Sequence, residues 1–328
     1  MKNVIVTGGA GYIGSHACKA LAKAGYVPVT FDNLVTGWKD AVKYGPFEFG
    51  CLSDSVKLDE VFDKYEPIAV MHFAALSQVG ESMKCPEFYW SNNTVGSFNL
   101  FQSARKAGCD KIVFSSTCAT YGDHDNVVID ESIPQNPINP YGKSKRANEE
   151  MLQDFDVAYG IQNVIFRYFN VAGSDPDCEI GEQHEPETHL IPLVLESVTG
   201  TRNPITIYGS DYDTPDGTCI RDYVHVCDLV DAHVLGLERL LEGKESRVFN
   251  LGTGEGFSVK DVISRASSVV SCQVPHVVGP RREGDCAKLV SGSIRAISDL
   301  GWAPQHSALS KMIQDAWNWK QHGVRYNK

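Results

Sequence analysis

The residues with the most chemical content fall in three short stretches. SSTCATYG (Ser115–Gly122) places hydroxyls, a cysteine and a tyrosine directly after the apolar run Lys111–Phe114. Buried strands normally end in Gly, Asn or Pro. Small uncharged polar side chains at a strand's mouth point instead to hydrogen bonding with a reacting group. Pro140-Tyr141-Gly142-Lys143-Ser144-Lys145 puts Tyr141 and Lys145 at i and i+4, on one helical face. A free tyrosine titrates near 10, so a phenolate at pH 7 costs about 4 kcal/mol, a cost that a nearby positive charge lowers. The pair therefore suits removal of a proton from an alcohol while hydride leaves its carbon. Alone, this spacing is common on solvated helix faces; its weight comes from the other two stretches.

The third stretch is Gly8-Gly9-Ala10-Gly11-Tyr12-Ile13-Gly14, after an apolar run and before an amphipathic one. Gly8 permits a tight turn, Gly11 lets backbone approach a pyrophosphate, and Gly14 lets helix and strand pack closely. The helix N-terminus then offers free N–H groups to phosphates. Asp32, at the end of the next apolar run, can accept from both ribose hydroxyls and repels a 2′-phosphate, which selects NAD over NADP. A purely structural turn with an unrelated surface Asp is the plainer reading, and the combined context outweighs it.

These residues need a scaffold, and the first half of the chain supplies its pattern. Strands are expected at Asn3–Thr7, Val27–Phe31, Phe47–Gly50, Ala69–Phe73, Lys111–Ser115 and Asn163–Arg167. Helices are expected to begin near Gly14, Ser55, Cys85 and Ser144, the last carrying the Tyr/Lys pair in a segment opening at Pro140. Such alternation implies right-handed βαβ crossovers and a doubly wound parallel α/β sheet. After Asn170 the rhythm breaks. A helix at His189–Thr199 and isolated strands at Arg247–Leu251 and Val274–Val278 suggest a smaller α/β lobe for substrate.

The 328 residues can form two unequal domains with ample core. A net charge of −11 argues against binding nucleic acid or an anionic membrane surface. Ten scattered cysteines without a CxxC pair read as reduced thiols. The N-terminus lacks a signal-peptide cleavage site and no apolar run reaches about 18 residues, so a cytoplasmic protein is expected.

Taken together, GGAGYIGSH, Asp32-Asn33-Leu34, His72-Phe73-Ala74-Ala75, Val79–Ser82, SSTCATYG, NPYGKSK and RYFNVAGSDP resemble the extended short-chain dehydrogenase/reductase superfamily. Within it, DGTCIRDYVHV (Asp216–Val226) and RREGD (Arg281–Asp285) resemble the UDP-glucose (UDP-galactose) 4-epimerase family over essentially the full length. The resemblance implies a Rossmann-type NAD domain (1–169 plus about 223–250), a UDP-sugar domain (170–222 and 251–328) and a homodimer. It makes Tyr141 the base for the sugar 4-hydroxyl, Lys145 its electrostatic partner, and Thr117 the hydroxyl on O4. Hydride passing from C4 to NAD would leave a 4-keto sugar that turns over and takes it back on the other face. The cofactor contacts implied are Gly8, Gly11, Tyr12, Ile13, Gly14, Asp32, Asn33, Phe73, Ala74, Asn93, Ser115, Ser116, Tyr141, Lys145 and Phe169. For the sugar nucleotide they are Thr117, Tyr141, Asn170, His189, Leu190, Tyr208, Arg221, Arg282, Asp285 and Leu289, the arginines suiting a diphosphate through bidentate bonds.

The chain departs from the family pattern at several places. Cys51-Leu52 replaces a common Asp-Ile at adenine, Ser77 a common lysine near the cofactor, and His189 a common asparagine at the sugar site. Leu289 stands where bulk limits room for an N-acetyl group. No metal is expected: His184 and His189 are five residues apart with Pro186 between them, so both cannot face one ion on a regular helix. Asp211–Gly217 imitates a calcium loop out of register.

A nucleotide-sugar dehydratase is the nearest rival reading. Eliminating water needs an acid and a base after the hydroxyl, and Cys118 and Ala119 stand there. A UDP-xylose/UDP-arabinose 4-epimerase also matches GSDYDTPDGTCIRDY. A non-catalytic NAD sensor is disfavoured by the intact Tyr/Lys pair.

Overall fold

The computed structural model describes residues 2–124, 128–282 and 285–327. Its strands are, first, β1 (Asn3–Thr7), β2 (Val27–Asp32), β3 (Phe47–Phe49), β4 (Ala69–His72), β5 (Lys111–Ser115), β6 (Val128–Ile129) and β7 (Gln162–Tyr168). Then follow β8 (Asn170–Ala172), β9 (Ile205–Tyr208), β10 (Ile220–His225), β11 (Arg247–Leu251), β12 (Gly256–Ser258), β13 (His276–Gly279) and β14 (Lys288–Ser291).

Seven strands form one sheet in the order β11-β7-β5-β4-β1-β2-β3, every neighbouring pair parallel. A sheet covered on both faces favours continuous apolar runs over alternation. Val4-Ile5-Val6, Ile112-Val113-Phe114 and Val164-Ile165-Phe166 are such runs, and all nine residues are buried. One face packs against helices Tyr12–Lys23 and Val226–Leu241 through Leu21, Leu229 and Leu237. The other packs against Ser55–Tyr65, Gly96–Lys106 and Pro140–Tyr159 through Phe62, Phe101 and Leu152. This is the doubly wound Rossmann arrangement.

Strand order reverses between β1 and β4, opening a crevice at their C-terminal ends, where ligands of such sheets bind. Three chain segments leave the sheet there: the glycine turn after β1, Phe73-Ala74 after β4, and Ser116-Thr117 after β5. The helix bearing Tyr141 is aimed at the same mouth. Pro140 occupies its first turn and Asn139 caps it, Oδ1 accepting from Gly142 N at 2.8 Å. Gly160, left-handed at φ 70°, ends it.

The smaller lobe carries β12-β10-β14-β6, with β8 pairing β10, and the two-stranded β13-β9. Its core unites helices Leu190–Val198, Val259–Val270 and Leu309–His322 through Val194, Val262 and Met312.

Asn3–Thr7, Lys111–Ser115 and Arg247–Leu251 are observed as expected, and the other expected strands shift by one or two residues at an end. The helix expected from Cys85 is three pieces: Pro86–Tyr89, a π-helical turn Trp90–Val95, and Gly96–Lys106. The wide turn points Asn93 inward, where it is buried. Strands β8 and β10 escape the apolar pattern because Asn170, Arg221 and Asp222 make their bonds with neighbouring segments. Among the described residues, no helix is long and apolar enough to cross a membrane.

Phe166, central in β7, lies 4.6 Å from the His233 ring and 5.9 Å from Phe249, centroid to centroid. Phe166→Ala should lower stability by about 3–5 kcal/mol in urea unfolding; a loss below about 1 kcal/mol would show that the sheet centre is not tightly packed.

Candidate active site

The glycine turn is shaped by backbone contact. Gly8 has φ +71°, and a Cβ there would lie 2.7 Å from Ala74 N, so any side chain would push β1 from β4. A Cβ on Gly14 would lie 2.1 Å from Gly8 O. Gly11 precedes helix Tyr12–Lys23 without a side-chain cap, leaving first-turn N–H groups for a ligand. Asp32 ends β2 with Oδ2 accepting from Ala10 N at 3.0 Å and Oδ1 from Leu34 N at 2.8 Å. Burial pushes its carboxyl up, while the N–H groups of Leu34, Ala10 and Asn33 pull it down. An uncapped helix start, a cradle without room for a Cβ, and a carboxylate on the adjacent strand fit a dinucleotide such as NAD. Tyr12 anchors the helix, donating to Gly173 O at 2.6 Å, with Ile13 packed beside it on the core. Asn33 lies on the rim, its amide 3.7 Å from Cys51 Sγ. Phe73 stacks on His233 at 4.9 Å.

Beyond β5 the expected cluster is assembled. Lys145, buried in the second turn of its helix, donates to Ser115 O at 2.7 Å and sits 4.8 Å from the centre of the Phe114 ring. Burial lowers its pKa to about 7, against the opposing pull of the Glu149 carboxylate. Burial raises the Tyr141 phenol, Tyr168 adds to the rise, and a hydrogen bond with Thr117 works against it. The sequence assigns the relief of that cost to Lys145. The hydrogen bond that Lys145 makes here is to the strand carbonyl of Ser115. Cys118 is likewise pushed up to about 12 by burial, so its thiol stays neutral at pH 7 and offers no base.

A buried network that sequence reading missed supports this mouth. Arg167 on β7 donates through Nη2 to Glu149 Oε2 at 2.5 Å and through Nε to both carboxylate oxygens at 3.1 Å. Ser116 donates to the same carboxylate, and Gln135 to its Oε2 at 3.0 Å. Arg167 Nη1 reaches the Tyr121 hydroxyl at 2.9 Å, which donates to Asn250 Oδ1 at 2.7 Å. Residue types alone carried a weak signal: Lys145 and Glu149 are one helical turn apart, but only β7 brings Arg167. Tyr168, whose hydroxyl meets Ser115, and Tyr89, 6.3 Å from Tyr141 ring to ring, were also missed. The Tyr89 hydroxyl lies 2.7 Å from Gln78 O and 2.8 Å from Glu81 Oε2, its one proton shared between them, tying down the Val79–Ser82 segment.

Asn93 is buried with its amide committed inside the protein: it donates to Leu76 O at 2.9 Å and to Ser144 at 3.2 Å, and accepts from Leu76 N at 2.8 Å. It thus positions the β4 loop against the Tyr141 helix. His72 is gripped by Thr7 at 2.6 Å and Ser97 at 2.8 Å.

On the sugar side, β8, β10 and β14 bring Asn170, Arg221 and Leu289 into one sheet, Arg221 opposite Leu289. Asn170 donates to Asp222 O at 3.0 Å. Arg282 bonds Asp285 at 2.9 Å and lies over the Tyr208 ring at 4.8 Å, while Arg221 Nη2 is 3.8 Å from Asp285. Leu289 packs with Phe169, Tyr121 and Ile129. Glu283 and Gly284, the middle of the RREGD stretch, fall outside the described residues. Leu190 opens its helix directly after His189. The histidine's Nδ1 is 2.9 Å from Glu182 and 3.1 Å from Glu187. His184 and His189 lie in a loop, not on a helix, so the Pro186 argument against their meeting does not apply.

Comparison with known proteins matches this geometry. The NAD dependent epimerase/dehydratase family model covers residues 4–252. The chain is 49% identical over 317 residues to a UDP-glucose 4-epimerase of Rhizobium meliloti, covering 97% of this chain and 96% of that one. The crystal structure of UDP-glucose 4-epimerase from Brucella ovis in complex with NAD superposes with a TM-score of 0.95 at 44% identity, covering 100% of both chains. An enzyme from Stenotrophomonas maltophila with bound NAD and formylated UDP-arabinopyranose matches with a TM-score of 0.94 at 35% identity, covering 98% of each.

Two predictions arise from this geometry. Glu149→Ala would strand the Arg167 guanidinium in the interior, lowering stability by about 3–5 kcal/mol in urea unfolding; an effect under about 1 kcal/mol would mean the pair is not a support. Because Lys145 titrates near 7 when folded and near 10.5 when unfolded, the unfolded chain binds the extra proton between those values. Its burial penalty is therefore full below pH 7 and fades as pH rises. The stability of Lys145→Met relative to the parent should be highest near pH 7 and shrink towards pH 9.5. A difference constant with pH would refute the assignment.

Proposed function

The chain belongs to the NAD dependent epimerase/dehydratase family, and from that premise we propose that it interconverts UDP-glucose and UDP-galactose by inverting C4. The observation that carries this reading is the convergence of Tyr141, Thr117 and Lys145 at the mouth of β5, beside the glycine turn. NAD, when bound, is acceptor and then donor of the C4 hydrogen, so a turnover is redox-neutral. The turn at Gly8–Gly14 would hold its pyrophosphate and Asp32 its ribose, with Ser115, Ser116, Phe73 and Ala74 lining the approach.

The chain's own residues handle the proton and the sugar. Tyr141 takes the proton of the 4-hydroxyl and returns it to the other epimer. Thr117 hydrogen-bonds O4 and steadies the phenolate, and the Lys145 ammonium lends positive charge from the strand side. Arg221 and Arg282 grip the diphosphate while the uncharged 4-keto sugar turns over, and Asn170, His189, Leu190 and Asp285 complete the nucleotide site. Tyr208 faces the base. Residues 1–169 with 223–250 serve the cofactor, and 170–222 with 251–328 the sugar nucleotide. The cores support that division, although Ala296 and Trp302 of the second part pack on the main sheet. Cys118 and Ala119 supply no acid for dehydration. Leu289, wedged against Phe169 and Tyr121, leaves little room for an N-acetyl group.

A homodimer is supported by exposed apolar side chains on neighbouring segments: Phe88, Val95 and Phe98, one on each piece of the stretch Pro86–Lys106, and Val157 and Tyr159 at the end of helix Pro140–Tyr159.

Purified enzyme should convert UDP-glucose to UDP-galactose, with UDP-xylose and UDP-N-acetylglucosamine as comparison substrates. No 4-epimer from any of the three, with NAD supplied, would sink the reading. Tyr141→Phe should retain NAD and lose turnover by roughly 10²–10⁴-fold. Near-parental turnover would remove Tyr141 from its role.

A further inference from the structure

Loop 182–189, which leads into helix Leu190–Val198, gathers four metal-ligating side chains that the epimerisation chemistry does not use as a set. One ligand atom from each of Glu182, His184, Glu187 and His189 lies within 4.8 Å of the other three. The nearest approaches between imidazole and carboxylate are 3.2 Å (His184 Nδ1 to Glu182 Oε1), 3.5 Å (His184 Nδ1 to Glu187 Oε2), 2.9 Å (His189 Nδ1 to Glu182 Oε1) and 3.1 Å (His189 Nδ1 to Glu187 Oε1). A tetrahedron of nitrogen and oxygen ligands about 2.0–2.1 Å from zinc has edges of about 3.3 Å. The two approaches of Glu182 Oε1 to the imidazoles, 3.2 and 2.9 Å, are close to that edge, and either Glu187 oxygen comes within 3.5 Å of an imidazole.

Within the quartet one contact is an aligned hydrogen bond, His189 Nδ1 with Glu187 Oε1 at 3.1 Å, and Glu187 also accepts from the N–H groups of Thr188 and His189. Glu182 Oε1 and His184 Nδ1 are buried, yet neither completes a hydrogen bond of good geometry. Glu182 has only 4% of its side chain exposed, so an unsatisfied carboxylate oxygen there is costly. At the other three approaches the atoms come close without aligning on one another, as ligand atoms aimed at a common point do. A second acidic group, Asp175, Asp177 and Glu179, is different: Lys19 Nζ sits among them at 2.7, 3.0 and 2.8 Å and already supplies the cation.

We propose that Glu182, His184, Glu187 and His189 bind one divalent transition-metal ion, zinc in preference to magnesium or calcium, which locks this loop. Two imidazoles select zinc, cobalt or nickel over the hard cations, which want oxygen. With 46% of its side chain exposed, His189 leaves a path of entry. Ligation at Nδ1 places the proton on Nε2. The ion is structural: it sets the geometry of the loop and takes no part in the proton or hydrogen transfer.

The test uses tag-free, full-length protein stripped with a chelator and titrated with Co²⁺, then Zn²⁺. One equivalent of Co²⁺ should give the visible absorption of a four- or five-coordinate ion without thiolate charge-transfer bands, which sets it apart from binding at any of the ten cysteines. Zn²⁺ should displace it and, at about a hundredfold excess over its Kd, raise the melting temperature by roughly 3–5 °C. Glu182→Gln combined with His184→Asn should weaken Co²⁺ binding by about 100-fold or more. Absence of a saturable one-equivalent spectrum, a thiolate spectrum, or full binding by the double variant would each overturn the proposal. Should the double variant fail to fold, the spectrum of the parent protein still decides.

Discussion

The buried Glu149–Arg167 pair is the contact on which the shape of the site depends. It ties the helix that carries Tyr141 and Lys145 to β7, and through Ser116 and Tyr121 to the chain leaving β5 and to Asn250 at β11. Two charges so deep are tolerable only because nearly every lone pair and N–H is met. The same completeness makes the arrangement rigid: Ser116, Thr117 and Tyr141 cannot drift apart without breaking a bond to a buried charge. The Glu149 carboxylate also offsets part of the burial cost of Lys145, one turn away.

Around this support burial governs the electrostatics of the site. Tyr141, Tyr168 and Cys118 are raised and Lys145 and His72 lowered by the same removal from water. Each group is thereby biased towards its neutral form, so small changes in local charge can move a proton between Tyr141 and a sugar hydroxyl. Elimination chemistry would require a permanent acid after Thr117, and the neutral thiol of Cys118 is a poor substitute. The restriction to one proton and one hydrogen therefore follows from what lies beside the hydroxyl cluster as much as from the cluster itself.

Much of this was legible in the chain. The parallel sheet could be read because strands buried on both faces must be apolar throughout, as Val4–Val6 and Val164–Phe166 are. The glycine turn could be read because Gly8 and Gly14 sit where a Cβ would strike backbone. Strands β8 and β10 could not, since their polar residues are explained only by partners far along the chain. The clustering of side chains in loop 182–189 was hidden for a related reason: spacing rules for metal ligands assume a helix, and this segment is not one.

By itself the sequence determined the local chemistry: a dinucleotide turn, an acid for ribose, a tyrosine and lysine on one face, and uncharged groups after Thr117. These are properties of adjacent residues and of helical or strand period. Only the tertiary structure decided that Lys145 bonds the Ser115 carbonyl, that Asn93 braces the β4 loop from within, and that Arg167 anchors Glu149. It also brought Glu182, His184, Glu187 and His189 to one point. Each of these depends on the direction of a side chain across a sheet or loop, which packing sets and sequence spacing does not encode.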